Sequence, residues 1–226
     1  MCGRYSVLTE DEIIEIRSIL HDISLHLVRD GLDNYIARPG EVRPTDMAPV
    51  IMNDTDGVVF ENAKFGFKKW DGKGVIINAR SDTLQRAGNM FSKIKGIGRC
   101  VVPASEYYEW KATVTDDDGK ASSGKRKKQK HFIKDKGGNL LFFAGLYQDT
   151  TDGREFVIIT KAATGDVESV HDRMPVILRV DQLELWLGGE LTPDDIVDMD
   201  FNAAVFPCEE APDVSQGQDD NQMSLF

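Results

Sequence analysis

The chain has 226 residues, of which 41% are hydrophobic and 29% charged, the composition of one ordinary globular domain. It contains no apolar run of membrane-spanning length and no secretory signal segment, so we predict a cytoplasmic protein. Three cysteines without a C-x-x-C pair argue against a disulfide or zinc framework, and a net charge of −11 by itself counts against nucleic-acid binding.

The first six residues, MCGRYS, contain the most reactive candidate group of the chain. An initiator Met before a small residue is removed by methionine aminopeptidase, which would leave Cys2 with an α-amine and a thiol on adjacent carbons. Their reference pKa values, about 8 and about 8.5, leave a reactive fraction of each near neutral pH. The pair can condense with an aldehyde to an imine and then a thiazolidine. Alternatively the thiol attacks an amide with the amine as its base, or Cys2 is simply a small residue near an ordered terminus.

The first third of the chain is predicted to contain one helix followed by strands. The helix covers residues 9–23, where Thr9 and Glu12 form a capping-box pattern and apolar residues recur on one face. Residues 24–47 are predicted to be irregular because of their Pro and Gly turn signals. Strands are predicted at 47–52 and 58–67, joined by a hairpin at 53–57.

A short apolar strand at 74–78 leads into an amide and a cation. Asn78 and Arg80 fall on the same face of an extended chain, so both can point into one site. The alternative is a strand end with ordinary surface polar residues. Ser81 is predicted to cap a short helix that continues to residue 86.

The strand-like segment 106–112 is rich in aromatic residues. Tyr107 and Glu109 share one face, and Tyr108 and Trp110 share the other. A carboxylate among aromatic rings tends to have a raised pKa, which suits proton transfer near neutral pH. The alternative is an acidic residue on an exposed strand face.

The polar segment 113–130 is predicted to be a mobile hairpin tip, and its basic run 125–128 either contacts phosphate or is simply solvated.

His171 lies in VHDRMP, a tight segment before a proline. Histidine titrates in the range that suits a general acid, although a lone histidine is more often a structural hydrogen-bonding group. The remaining elements are strands at 99–103, 131–134, 140–147, 155–160 and 176–180 and short helices at 181–187 and 192–199.

These elements predict an α+β protein, a curved mostly antiparallel sheet or open barrel with peripheral helices. We predict a catalytic domain at 1–207 and an acidic disordered tail at 208–226, because the residues after 208 are polar, acidic and free of Lys and Arg.

Four segments, MCGRYS, INAR, YYEW after CVVPA, and VHDRMPVIL, occur in an order and spacing that resemble the SOS-response-associated peptidase (SRAP) family, which includes abasic-site-shielding proteins. The resemblance covers about residues 1–207. The sequence departs from the family where FGFKKW stands for a tryptophan-rich stretch, so the base-stacking surface is not identified. Ser81-Asp82 replaces the usual Ala-Glu of the family. The 113–130 segment and the acidic tail look like additions to the family's pattern.

The resemblance implies covalent capture of abasic sites in single-stranded DNA, because the ring-opened sugar presents an aldehyde. Cys2 would be the nucleophile, and Asn78 would orient the terminus. Glu109 would shuttle protons during imine and ring formation, and His171 would assist opening of the sugar ring and reversal. We expect no cofactor, no metal site and a monomer.

DNA contacts are likewise carried over from the resemblance. Arg4 and Arg80 would hold flanking phosphates through their bidentate guanidinium groups, and Lys68, Lys69 and Arg173 are further candidates. A local basic groove can coexist with a negative net charge, because salt screens charges beyond roughly 8 Å. The protein would be nucleoid-associated when bound to DNA.

The chain ends in Gln222-Met223-Ser224-Leu225-Phe226, which resembles the bacterial sliding-clamp-binding motif. Two apolar residues at the end of a polar, acidic segment have no core to join, which favours a partner pocket. The sliding clamp is therefore a predicted partner.

Two other classes of function stay open. Class II glutamine amidotransferases, which are N-terminal-nucleophile hydrolases, also begin Met-Cys-Gly, but their downstream glutamine-binding motifs are not recognisable here. Autocatalytic removal of Met1 is the one step that requires the peptidase activity of the family name. The third possibility is a DNA-damage adaptor without enzymatic activity, in which Cys2 is incidental.

Overall fold

The computed structural model of the chain describes residues 2–23, 25–33, 35–37, 40–113, 127–197 and 201–208. Its helices are α1 (Glu10–Asp22), α2 (Ser81–Leu84) and α3 (Leu183–Gly188), with 3₁₀ turns at Phe91–Lys93, Gly165–Ser169 and Val180–Gln182. Its strands are β1 (Tyr5–Ser6), β2 (Leu27–Asp30), β3 (Glu41–Val42), β4 (Met47–Asp54), β5 (Gly57–Phe65), β6 (Phe67–Lys68), β7 (Val75–Ile76), β8 (Asn78–Arg80), β9 (Gly98–Ala104), β10 (Tyr107–Thr113), β11 (Lys127–Asp135), β12 (Leu141–Thr150), β13 (Gly153–Ala162), β14 (Arg173–Pro175), β15 (Ile177–Leu178) and β16 (Ala203–Pro207).

The strands form two main sheets with mostly antiparallel pairing. The larger runs β14-β13-β12-β9-β4-β5-β2, and the smaller runs β16-β11-β10-β1-β3. A parallel pairing of β13 with β5, at Glu155↔Lys64 and Phe156↔Phe65, joins the two ends of β13-β12-β9-β4-β5 into a barrel. The predicted α+β fold with a curved, mostly antiparallel sheet and peripheral helices is confirmed.

Both faces of the barrel strands are covered, because successive side chains of a strand point to opposite faces. Ile51 and Val101 face a cluster built with α1 and α3, whereas Met52 and Val102 face a second cluster beneath the smaller sheet. Tyr5 of β1 packs edge-on against barrel side chains in this second cluster, with its ring centroid 5.7 Å from Phe65 and 6.0 Å from Phe143. The start of the chain is thereby anchored over the barrel.

Helix α1 begins where its cap predicts. The Thr9 amide donates to the Glu12 carboxylate at 2.7 Å, and the Glu12 amide donates to the Thr9 hydroxyl at 3.2 Å, which is a complete capping box. The hairpin at 53–57 is also confirmed, as the turn between β4 and β5.

Other local predictions were wrong. Residues 24–47 contain β2 and β3. Arg80, still in extended conformation, is the N-cap of α2, so Ser81 is the first helical residue and caps nothing. Residues 193–197 form turns rather than a helix, although the Thr192 amide and hydroxyl both donate to the Asp195 carboxylate at 2.7 Å.

The hairpin of β10 and β11 is described from Tyr107↔Ile133 to Thr113↔Lys127. Most of the predicted tip, 114–126, and the predicted tail beyond 208 lie outside the described residues. Within the described ranges, no helix has both the length and the apolar character needed to cross a membrane.

Candidate functional site

The main chain at Cys2 is held by the first residue of β8. The Asn78 carboxamide donates from Nδ2 to the Cys2 carbonyl at 3.0 Å and lies 3.5 Å from the Ile158 carbonyl. Strand β8 pairs in parallel with β13, with Asn78 opposite Ile158, so the sheet fixes the direction of this amide. Its Oδ1 is buried without a hydrogen-bond partner in the described part of the chain. Asn78 therefore joins the start of the chain to the barrel and leaves an acceptor at the site.

The Cys2 side chain has no exposed surface. Burial, and next the negative charge of Glu109, raise the pKa of its thiol well above the usual range. The thiol thus stays protonated near neutral pH, and a reaction at sulfur needs a neighbouring group to take its proton. Cys208, by contrast, is partly exposed.

Glu109 of β10 is buried, with 2% of its surface exposed, so the alternative of an acid on an exposed strand face is excluded. Burial raises the pKa of its carboxyl, although the nearby His171 imidazole acts in the opposite direction. His171 Nε2 lies 4.0 Å from Glu109 Oε2. A carboxyl with a raised pKa beside an imidazole is suited to proton transfer near neutral pH.

The His171 ring is oriented by its own loop. The Arg173 amide donates to Nδ1 at 3.0 Å, which places the proton of a neutral ring on Nε2, toward Glu109. The Asp172 carboxylate, whose side chain is 86% exposed, lies 2.9 Å from the same Nδ1. Because the amide is fixed by the backbone and Asp172 faces solvent, the amide contact is the stronger constraint on the ring.

A pocket of about 520 Å³ opens beside these groups. The Arg4 guanidinium, at its wall, lies 4.9 Å from the centroid of the Trp110 ring and 3.3 Å from the Glu41 carboxylate. Cationic and aromatic groups thus stand next to a buried acid. The pocket is lined by Gly3, Arg4, Pro44, Glu109, Trp110, Lys128 and His171.

The structure separates the other predicted DNA contacts from this pocket. Arg80 is 58% exposed and pairs with Asp82 through two contacts, of 3.0 and 2.7 Å. Arg173 is largely buried, and its guanidinium donates to the Thr160 carbonyl at 2.5 Å. Lys68 and Lys69 are exposed and stand on the β6–β7 hairpin.

Two aromatic residues near the candidate groups were not predicted as site residues. Trp70 follows Lys69 and is 98% exposed, an unusual position for an indole. Trp110 points to the opposite strand face from Glu109, yet both line the pocket. The neighbouring lysines, Lys68 and Lys69, were the sequence feature that could have identified Trp70 as a site residue.

Among the described residues, no group of three or more His, Cys, Asp or Glu side chains is arranged to hold a metal ion.

Comparison with known proteins gives a consistent result. The family model described as SOS response associated peptidase (SRAP) matches residues 1–209. Abasic site processing protein YobE of Bacillus subtilis (strain 168) is 32% identical over 217 residues, which cover 86% of this chain and 85% of that protein. Abasic site processing protein YoqW of Bacillus phage SPbeta is also 32% identical, with 86% and 84% covered. A solved structure from Bacteroides thetaiotaomicron, 18% identical, superposes with a TM-score of 0.69 and covers 92% of this chain and 93% of its own, which is a likeness of fold.

Proposed function

The chain belongs to the SOS response associated peptidase family, and from this membership we propose that it processes abasic sites in DNA by capturing them covalently through Cys2. The proposal rests on the hydrogen bond that Asn78 donates to the Cys2 carbonyl, next to the neighbouring side chains of Glu109 and His171. Such an arrangement supports chemistry at the start of the chain.

The proposed reaction begins with removal of Met1, which frees the α-amine of Cys2. This amine adds to the aldehyde of the ring-opened abasic sugar, and loss of one water gives an imine. The Cys2 sulfur then adds to the imine carbon, and the thiol proton ends on the nitrogen. A new C–N bond and a new C–S bond close a five-membered thiazolidine, which shields the lesion.

Each neighbouring group has a proposed role in these steps. His171 protonates the sugar ring oxygen during opening, and Glu109 accepts the thiol proton and returns it to nitrogen. The buried, protonated thiol makes such a base necessary. Asn78 keeps the Cys2 main chain aligned, which lowers the entropic cost of bringing amine and aldehyde together.

Single-stranded DNA is the proposed substrate, because the lesion must be reached outside the base stack. Arg4 and Lys128, on the pocket wall, would contact the phosphates next to the lesion, and Trp110 would contact the sugar or a base. Because every proposed group comes from one chain, a monomer suffices.

The basic test is to mix the protein with a single-stranded oligonucleotide that carries one abasic site and to look for a complex that survives denaturation. Covalent capture predicts a complex with the abasic oligonucleotide and none with the undamaged one. A glutamine amidotransferase would form none and would release ammonia from glutamine. A non-enzymatic adaptor would do neither.

Arg80→Ala is expected to weaken binding to single-stranded DNA and to reduce the slope of log K against log salt by about 0.7, the loss of one phosphate contact. Arg179→Ala is the matched control, because Arg179 makes the same two-point pair with Asp181, at 3.0 Å for both contacts. Affinity is measured by fluorescence anisotropy at several salt concentrations. Equal slopes for the two variants would contradict the role of Arg80.

Trp70→Ala is expected to reduce the affinity for single-stranded DNA by about 1–3 kcal/mol, because an exposed indole beside lysines can stack on a base. Ile36→Ala removes another exposed apolar side chain, 75% exposed, and serves as the control. The same anisotropy assay measures both. An unchanged affinity for Trp70→Ala would exclude the indole from the interface.

The tail is proposed to tether the domain 1–207 to the sliding clamp through Gln222–Phe226. The apolar pair Leu225 and Phe226 would fill a hydrophobic pocket of the clamp, which raises the local concentration of the capturing domain at stalled forks. A short peptide that orders on binding is expected to have a Kd on the order of micromolar. Calorimetry with purified clamp should detect binding by the full chain and none by a chain truncated after Asn221. Equal binding by both chains, or by neither, would refute this role, and crosslinking should be unchanged by the truncation.

A further inference from the structure

The outer face of the smaller sheet carries a row of aromatic side chains. In the registers of β10, β11 and β16, Tyr108 stands opposite Phe132, and Phe132 stands opposite Phe206. Residues directly opposite in neighbouring strands share a face, so the three rings form one row across three strands. The Phe132 and Phe206 rings stack with centroids 5.0 Å apart, and Phe206 is 41% exposed. Tyr108 and Phe132 are partly exposed. A row of accessible aromatic rings indicates a binding surface.

Cations border this row. The Lys130 ammonium lies 3.9 Å from the centroid of the Tyr108 ring, and the exposed Lys134 ammonium lies 5.9 and 5.5 Å from the centroids of Phe132 and Phe206. Two carboxylates are also near. Glu41 pairs with Lys130, and Glu106 accepts a hydrogen bond from the Tyr108 hydroxyl at 2.6 Å. In the described part of the chain neither of these carboxylates pairs with Lys134, so the end of the row at Phe206 is the more cationic.

The row is continuous with the pocket lined by Glu109 and His171. Trp110 follows Tyr108 by two residues on the same face of β10, and Lys128 precedes Lys130 by two residues on β11. A spacing of two residues along a strand is about 7 Å. Both Trp110 and Lys128 line the pocket. A chain that leaves the pocket over Trp110 therefore meets the Tyr108 ring next.

We propose that this row, formed by Tyr108, Phe132 and Phe206 with Lys130 and Lys134, binds the single-stranded DNA that extends from the captured abasic site. The inference rests on the proposed function for the position of the lesion. Bases stack on exposed aromatic rings without regard to sequence, and ammonium groups beside the rings attract the phosphates between them. A sheet face with aromatic side chains on neighbouring strands is an established platform for single-stranded nucleic acid. The negative charge of the ligand matches the cations at the end of the row.

The test compares an undamaged single-stranded oligonucleotide of about 16 nucleotides with one of about 4 nucleotides that carries an abasic site, so that the lesion centres the short one on the pocket. Phe206→Ala and Lys134→Ala should each weaken binding of the long oligonucleotide, by about 5- to 100-fold for Phe206→Ala, the loss of one stacked base. Neither should change binding of the short one centred on the pocket. Phe206→Tyr, which keeps the ring, should retain the affinity of the unmodified chain. Exposed Lys93, outside this sheet, provides the control Lys93→Ala.

Covalent capture is measured separately, as crosslinking of a short abasic oligonucleotide, and should be the same in all these variants. A failure of Cys2 chemistry would abolish this signal but leave the length dependence intact, so the two proposals fail independently. If the row instead receives the chain's own tail or another protein, Phe206→Ala and Lys134→Ala will bind the long oligonucleotide as tightly as the unmodified chain. That result overturns the proposal. Thermal unfolding verifies that Phe206→Ala keeps β16 folded.

Discussion

A Cys2→Ala chain is expected to form no denaturation-resistant complex with abasic single-stranded DNA. The substitution keeps the α-amine after removal of Met1 but deletes the sulfur, so an imine forms that cannot close to a stable ring. Imines hydrolyse, and the complex is then expected to disappear on heating. Denaturing gel electrophoresis, with and without borohydride to reduce the imine, distinguishes the two adducts. A heat-stable complex formed by Cys2→Ala without reduction would contradict the mechanism.

Two further variants separate the thiol from the amine. Cys2→Ser retains a nucleophilic oxygen in the same position and is expected to yield at most the hydrolysable imine. An extra residue ahead of Cys2 keeps the thiol but removes its α-amine, and it should abolish the adduct. Cys208→Ser is the matched control, because Cys208 is the more accessible thiol and should contribute nothing.

Local patterns predicted the elements that carry the candidate site. The Thr9 and Glu12 capping box set the start of α1, and strand alternation separated Glu109 from Trp110 on opposite faces. These features depend on residues within a few positions of each other, so the order of residue types is enough to reveal them.

Contacts between distant segments could not be predicted in this way. Asn78 contacts Cys2 across 76 positions of sequence. Strands β2 and β16 form by pairing with β5 and β11, which lie far from them in the sequence. The resemblance to a family suggested that Asn78, Glu109 and His171 act together, but it could not reveal the burial of Arg173. That burial arises from packing of β14 beside β13, which leaves no periodic signal in a three-residue strand.

Glu109→Gln and His171→Gln are expected to slow crosslink formation by about 10²–10⁴, the usual contribution of general acid–base catalysis. Both changes are nearly isosteric, so the fold should persist. Single-turnover kinetics with an abasic oligonucleotide at saturating protein measures the chemical step apart from DNA binding. Glu155→Gln is the control, because Glu155 is also buried but accepts hydrogen bonds from the Lys68 amide and from Gln148. Unchanged rates in both Glu109→Gln and His171→Gln would refute their proposed roles.

The pH dependence distinguishes a base at Glu109 from a merely structural residue. Only the ionised carboxylate accepts a proton, so the crosslinking rate should rise with pH through the raised pKa of Glu109, and Glu109→Gln should lose this rise of the rate with pH.

The raised pKa of Glu109 also affects the stability of the fold. Because the folded state holds this proton more tightly than the unfolded state, with its ordinary pKa of about 4.3, the contribution of Glu109 to stability falls as pH rises from that value through the raised one. Glu109→Gln should remove this loss of stability in thermal unfolding at several pH values. A variant that loses the stability dependence but keeps the rise of the rate with pH would show that the burial of Glu109 matters to the fold and that another group is the base.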